Sequence, residues 1–317
     1  MTKQNTTNQK VQIIVDNSAA AANALPFPHL AAELQTLAAQ DSAARIEAVR
    51  SDWVVRHPAV RHAMNCARWL IEGPRRVRTT GLLVLGDVGS GKTTLARLIN
   101  RQYAGPNVIR EAMHEPVVTI GLTGARHMRA VYGRILEALD GPVKTSHHTS
   151  DREFAALRLL RSVQCRCLIV DEVQDVLAGS RIEQRRTLDG LKFIMNEVQL
   201  PIIALGTTDA AHAFQTDTHM ASRFQRVDLP QWEVGDDLAN LLIAVARLLP
   251  LRKPSVLASK KVMKMLVANS NNGRLDDIMT LVRLAAVQAI LTGTERITLA
   301  MLELASAVPN MEEIDHV

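Results

Sequence analysis

Residues 81–103 read GLLVLGDVGSGKTTLARLINRQY: an apolar run, a glycine loop and a helical pattern in immediate succession. GLLVLG is short and apolar and ends on a turn signal, as a buried strand does. LARLINRQY repeats its apolar residues at helical spacing. Between them, GDVGSGKTT (86–94) fits the pattern GxxxxGK[ST] through Gly86, Gly91, Lys92 and Thr93. Glycines 86, 89 and 91 permit positive φ, so backbone N–H groups can converge on an anion to which the new helix's N-terminus adds partial positive charge. The expected phosphate cradle is Gly86, Asp87, Val88, Gly89, Ser90, Gly91, Lys92, Thr93 and Thr94. In it, Lys92 reaches the β- and γ-phosphates and the Thr93 hydroxyl ligates Mg²⁺.

Further strand-like runs follow at 117–122 (VVTIGL), 167–171 (CLIVD), 202–207 (IIALGT) and 226–230 (RVDLP), separated by helical stretches. Strands alternating with helices imply a parallel five-stranded sheet flanked by helices, an α/β fold. Beyond Pro230 the pattern is helical only, at about 235–249, 255–269, 274–292 and 298–307, which reads as a small all-helical lid. Upstream, helices are expected at about 30–49 and 58–72. In the second, Val60, Met64, Ala67 and Ile71 share one face and leave Arg61 and Arg68 toward water. Residues 1–24 are rich in Asn, Gln, Thr and Ala and are expected to be mobile or to order on a partner. The expected organisation is an N-terminal extension (1–50), a nucleotide-binding α/β domain (51–232), the lid (233–308) and an acidic tail (309–317).

At 317 residues and 47% apolar content the chain can bury a sizeable core. It has no run of 18 apolar residues, and MTKQNTTNQK is no signal sequence, so a cytoplasmic protein without a membrane partner is expected. Three cysteines, 66, 165 and 167, suggest neither a disulfide framework nor a zinc site and are expected to be reduced core thiols. A net charge of +5 and a pI near 9.3 permit nucleic-acid binding. Aromatics at 3% argue against binding through rows of stacked rings and leave phosphate contacts as the expected mode.

CLIVDE ends an apolar strand on two adjacent carboxylates. Asp171 is placed to hold Mg²⁺ and Glu172 to orient or deprotonate a water attacking the γ-phosphate. IIALGTT ends on Thr207 and Thr208, where a polar side chain can read that phosphate or its water. In ASRFQRVDLP, Arg223 ends a helix before the fifth strand and points toward a neighbouring subunit, a candidate arginine finger.

GDVGSGKTT, LIVDEVQ, IIALGTT and ASRF, followed by a helical lid, resemble an AAA+ ATPase of the initiator-like branch over about residues 55–308. Within that branch the chain is most similar to the TniB and TnsC transposition regulators, through its length, RHPAVRHAMNCARWLI and VVTIGLTGARHMRAVYGRILEALDGP. The resemblance implies ATP hydrolysis with Mg²⁺. Gly86 to Thr94 match the phosphate loop, Asp171 and Glu172 the acids, Thr207 the first sensor, Arg223 the finger given in trans and Arg274 the second sensor on the lid. It also implies a homo-oligomeric ring or filament on double-stranded DNA that recruits a TniA/TnsB-like transposase and a TniQ-like targeting protein.

For DNA contact the resemblance points to the region after the second strand. There Met128, Val131, Ile135 and Leu139 share one helical face, and Arg126, Arg129 and Arg134 the opposite one. Such a face either tracks phosphates or is the solvated side of an ordinary amphipathic helix. GPVKTSHHTSDRE reads as a polar loop in which Lys144 and Thr145 are candidate backbone contacts, and His147 and His148 lack metal-ligand spacing. RIEQRRTLDG, 181–190, is a second basic stretch facing either DNA or a neighbouring subunit. Two further readings stand beside transposition: a helicase loader or replication initiator of the same fold, and a signalling NTPase switch that does not touch DNA.

Overall fold

Five short runs become one parallel sheet: β1 Gly81–Leu85, β2 Val117–Gly121, β3 Cys167–Asp171, β4 Ile202–Gly206 and β5 Phe224–Asp228. This computed structural model describes residues 14–15, 27–51, 54–104, 108–109, 112–125, 127–144 and 146–307. The strand order is β2-β3-β4-β1-β5, and every neighbouring pair runs parallel. All residues of β1, β3 and β4 are buried, which is why they read as unbroken apolar runs. β5 lies at the edge and buries only Val227 fully. It starts two residues before the apolar signal expected at 226, because Phe224 pairs with Gly81 while Gln225 and Arg226 face solvent. The carboxyl ends of β1, β3 and β4 converge on one edge, where ligands of open α/β sheets sit.

The chain divides into two compact units, Pro58–Pro230 and a second made of residues up to His57 together with those from Gln231 onward. In the first, helix Pro58–Glu72 buries Val60, Met64, Ala67 and Ile71 as the spacing predicts. Helix Met128–Ala138 sends Val131 and Ile135 into the core shared with β2 and β3. Part of the expected polar loop is instead helical: Thr149–Ser162 begins where Asp151 accepts from the His148 backbone N–H at 2.9 Å, a local cap that apolar periodicity does not reveal. Cys165 and Cys167 are buried, and burial pushes the Cys165 thiol up to about 12. Cys66 differs from the core thiol expected: it is half-buried on the helix flank, 3.7 Å from His62 Nε2.

The helical unit contains Ala32–Ala38, Ser42–Arg50, Asp236–Ala246, Lys260–Ala268, Leu275–Leu291 and Leu299–Ala307. The single helix expected over 30–49 is two, because Asp41 accepts from Ala44 N–H at 2.8 Å and caps a fresh start. Leu30, Leu34, Ala38 and Val49 bury themselves in the same core as Leu242, Ile278, Val282 and Leu302. These N-terminal helices thus belong to the helical unit's core rather than standing apart. Arg45, 1% exposed, joins them to the loop before the last helix by a fork: Nη1 to Glu295 Oε2 at 2.7 Å and Nη2 to Oε1 at 2.9 Å. Among the described residues no helix is long and apolar enough to cross a membrane. The tail 309–317 lies outside the described residues.

Candidate functional site

The glycine loop leaves β1 at Gly86, whose N–H donates to Gly206 O at the end of β4 (3.1 Å). A Cβ on Gly86 would lie 2.4 Å from Ser90 Oγ and 3.1 Å from Leu229 Cβ, so any side chain there would press on Ser90 and Leu229. Gly89 (φ +76°) and Gly91 (φ +95°) occupy the left-handed region, which glycine enters without steric cost. Helix Lys92–Tyr103 follows with no side-chain cap on its first turn, leaving its leading N–H groups for an anion. Lys92 folds back over the loop, donating to Gly86 O (2.7 Å) and Asp87 O (2.8 Å). Burial lowers its pKa, opposed by the carboxylates of Glu172, Asp171 and Asp87.

Across this loop stands the end of β3. Thr93 Oγ1 donates to Asp171 Oδ2 at 2.7 Å, so the hydroxyl and the carboxylate expected to share a cation touch each other. Asp171 Oδ1 accepts from Glu172 N–H at 2.9 Å. Glu172 has φ +56°, ψ +43°, a left-handed conformation that bends the chain sharply out of the strand. Thr207 follows β4, and its Oγ1 is buried without a hydrogen-bond partner among the described residues, as is Ser90 Oγ. A buried hydroxyl left unpaired is costly. Two such hydroxyls, an uncapped helix start, a lysine and a Thr–Asp pair make a donor set that fits a nucleoside triphosphate with a divalent cation.

Within the same unit, Arg223 stands apart from this group. Arg223 immediately precedes β5, and Phe224 pairs with Gly81 at the opposite end of β1 from the loop. Five residues of extended chain separate the two ends, about 17 Å. The Arg223 Nη1 donates to Asn196 Oδ1 at 2.9 Å. Arg78 reaches the same rim, donating to Ser222 Oγ at 3.2 Å. Arg274 is the N-cap of helix Leu275–Leu291 in the helical unit, with Nε 3.9 Å from Asp277 Oδ2. Of the candidate DNA contacts, Arg129 is exposed and donates to His147 O at 3.0 Å. Arg134 pairs with Glu137 at 3.0 Å, and Lys144 is exposed. Arg126 and Thr145 lie outside the described residues.

Sequence reasoning missed Gln174. Its Oε1 accepts from Thr207 N–H at 3.2 Å and its Nε2 donates to Glu172. Its only signal was its place two residues beyond Glu172 in LIVDEVQ.

Among solved structures, the chain is similar to the ORC2 protein of Aeropyrum pernix in its ADPNP–ADP complexes, at 15% identity and TM-score 0.57, covering 83% of this chain and 71% of that one. It is also similar to the ORC1 protein of the same organism in complex with DNA, at 14% identity and TM-score 0.53, covering 80% of this chain and 65% of that one. Drosophila ORC bound to DNA is a third, at 18% identity and TM-score 0.54, covering 92% of this chain and 70% of that one. At such identities the likeness establishes the fold, that of AAA+ initiators. No curated protein sequence matches the chain. The family model described as "Bacterial TniB protein" matches residues 45–234, more than half of the chain and all five strands of the sheet. The protein therefore belongs to the TniB family, on an initiator-like AAA+ fold.

Proposed function

We propose that this protein is an ATPase that assembles on double-stranded DNA in the bacterial cytoplasm, marks a target for a TniA/TnsB-like transposase and disassembles on ATP hydrolysis. The observation that carries this reading is the division of the site. The phosphate loop, Thr93, Asp171, Glu172 and Thr207 gather at one end of the sheet while Arg223 stands at the other. One copy therefore holds the triphosphate and the next supplies the guanidinium, so that nucleotide occupancy favours assembly by mass action.

In this reading Lys92 neutralises the β- and γ-phosphates, and Thr93 with Asp171 would hold Mg²⁺, which screens the charge developing on the phosphate oxygens. Glu172 accepts the proton of the attacking water, and the Thr207 hydroxyl orients that water or the γ-phosphate. The partner copy's arginine stabilises the charge of the transition state. The rim that carries Arg223 suits contact with another chain: Trp69 is 74% exposed and Val77 84% exposed, and Arg78 stands beside Ser222.

Family membership and the ligands of the similar structures, ADPNP and ADP in one and DNA in the others, support nucleotide and DNA as ligands. We assign duplex contact to the segment around Arg126, Arg129, Lys144 and Thr145, where phosphate contacts would be indifferent to sequence. Docking of the transposase and of a TniQ-like protein is assigned to the N-terminal 50 residues and the acidic tail 309–317.

The test combines turnover with assembly. Glu172→Gln retains ATP while turnover falls about 10²–10⁴-fold, the usual worth of a general base. With ATP this variant forms long-lived rings or filaments on duplex DNA in negative-stain images. Normal turnover by Glu172→Gln, or a chain that stays monomeric with ATP and duplex, overturns the reading.

A further inference from the structure

One cavity of the unit Pro58–Pro230 is lined by more guanidiniums than carboxylates can balance. The cavity, about 490 Å³, is walled by the end of helix Pro58–Glu72, the connection from it into β1, and residues that lead into β3 and β4. Arg68, Arg75, Arg76 and Arg166 line it with the single carboxylate Glu72, so three positive charges stand in excess. Two of the four are fixed by main-chain carbonyls: Arg75 donates to Val198 O (2.7 Å) and Cys165 O (3.0 Å), and Arg166 to Ile71 O (3.1 Å) and Gly73 O (2.6 Å). A carbonyl holds a guanidinium in place without cancelling its charge. None of the four makes an ion pair among the described residues. Glu72 Oε1 is itself engaged, accepting from Tyr103 O–H at 3.0 Å.

The rest of the wall is apolar. Leu70, Pro74 and Pro201 line it, and the Trp69 indole at its rim is 74% exposed. Unbalanced guanidiniums beside an exposed ring select carboxylates interleaved with apolar side chains. A duplex carries its phosphates on a rigid convex surface and does not enter such a recess.

This chain carries a segment of the complementary kind. Residues 311–317, MEEIDHV, lie outside the described residues; they set Glu312, Glu313 and Asp315 among Met311, Ile314 and Val317 and contain no Lys or Arg. Their three carboxylates match the three charges in excess. Two other acid-rich stretches, 170–176 and 232–238, are already built into the end of β3 and the start of helix Asp236–Ala246. The cavity also adjoins the rim that carries Arg223. Its connection ends at Gly81, whose N–H donates to Arg223 O at 2.9 Å, and Arg78 within it donates to Ser222 Oγ at 3.2 Å.

We infer that this cavity receives residues 311–317 of another copy, a link between copies that needs no nucleotide. Arg68 and Arg76, both exposed, take the carboxylates, and the apolar side chains rest on the Trp69 indole. The inference rests on the assembly reading above for its direction, from one copy to the next. A partner protein that takes the same acidic tail competes with the cavity and loosens the link.

The test uses the full chain carrying Glu312→Gln, Glu313→Gln and Asp315→Asn, so that no charged tail competes, and a fluorescent peptide of residues 309–317 amidated at its end. Anisotropy should rise to saturation, and added salt should weaken binding. Arg68→Gln and Arg76→Gln, placed in that chain, each weaken binding roughly fivefold, between the worth of an exposed ion pair and of a charged hydrogen bond. Trp69→Ala weakens it as well, and all three side chains are exposed, so these variants leave the core intact. In sedimentation without nucleotide, wild type forms larger species as concentration rises and the three-amide chain stays monomeric. With ATP and duplex both chains assemble.

A peptide that does not bind, or that binds the Arg68→Gln and Arg76→Gln chains as tightly as their parent, overturns the inference and leaves the assembly reading standing. A single-stranded oligonucleotide that binds through these residues where the peptide does not also overturns it. A wild type that is monomeric without nucleotide, though the peptide binds the three-amide chain, overturns the link between copies. Failure of both chains to assemble with ATP and duplex overturns the assembly reading instead, whatever the peptide does.

Discussion

Removing the Glu295 carboxylate destabilises the helical unit more than removing the Arg45 guanidinium that it grips. Glu295→Ala leaves a guanidinium 1% exposed whose remaining acceptor among the described residues is Pro250 O at 3.3 Å. An uncompensated charge of this kind costs about 4 kcal/mol. Arg45→Met leaves a carboxylate 11% exposed that still accepts from Arg252 N–H at 3.3 Å and lies 4.0 Å from Arg252 Nη1. Its cost is roughly half as large, ~2 kcal/mol. The double variant Arg45→Met/Glu295→Leu removes both charges together and restores most of the loss, because apolar side chains replace a buried pair at little net cost.

Urea unfolding of the full chain, read with amide exchange across helix Ser42–Arg50, measures all three variants. Against a typical total of 5–15 kcal/mol, the Glu295→Ala loss is enough to expose those amides. Equal losses for the two single variants, or a double variant that is their sum, would refute the reasoning.

Two further outcomes follow from the same contacts. Burial raises the Glu295 pKa, and hydrogen bonds from Arg45 and the Arg252 backbone more than reverse this, leaving it below its ordinary value. The stability from that depression is fully present above the unfolded glutamate value of about 4.3 and is lost as pH falls through the lower folded value. Acid titration of amide exchange should therefore open helix Ser42–Arg50 below about pH 4 in wild type, while the Arg45→Met/Glu295→Leu variant lacks this step. Gly206→Ala places a methyl 2.8 Å from Val173 Cγ1 and 3.0 Å from Ala210 Cβ. Overpacking there costs roughly 1–3 kcal/mol in urea unfolding, and a cost below that refutes the close approach. Replacing Arg126, Arg129 and Lys144 by Ala lowers duplex affinity and flattens the slope of log K against log salt by up to about 2.7, at roughly 0.9 for each phosphate that is no longer neutralised. Unchanged binding removes that segment from the DNA interface.

Legibility followed burial and locality. β1, β3 and β4 are readable because both their faces are buried, so composition alone marks them. The start of β5 is hidden by two residues because an edge strand carries polar Gln225 and Arg226 in its middle. The membership of helices Ala32–Ala38 and Ser42–Arg50 in the helical core could not be read. It is sealed by Arg45 and Glu295, 250 residues apart, neither of which signals a partner locally. Within the site, the loop and the Asp171–Glu172 pair are legible because each is a contiguous motif. The placement of Gln174 depends on the left-handed turn at Glu172 and on the bare backbone of Gly206, and neither is a property of a pattern of residue types.

The central claim is that one nucleotide site is shared between two copies. Its most direct measurement is ATP turnover on duplex DNA by Lys92→Ala and Arg223→Ala, each alone and then mixed. Each variant alone is inactive. The mixture regains turnover, because an interface between intact Lys92 of one copy and intact Arg223 of the next is complete. A mixture as inactive as its parents contradicts the account.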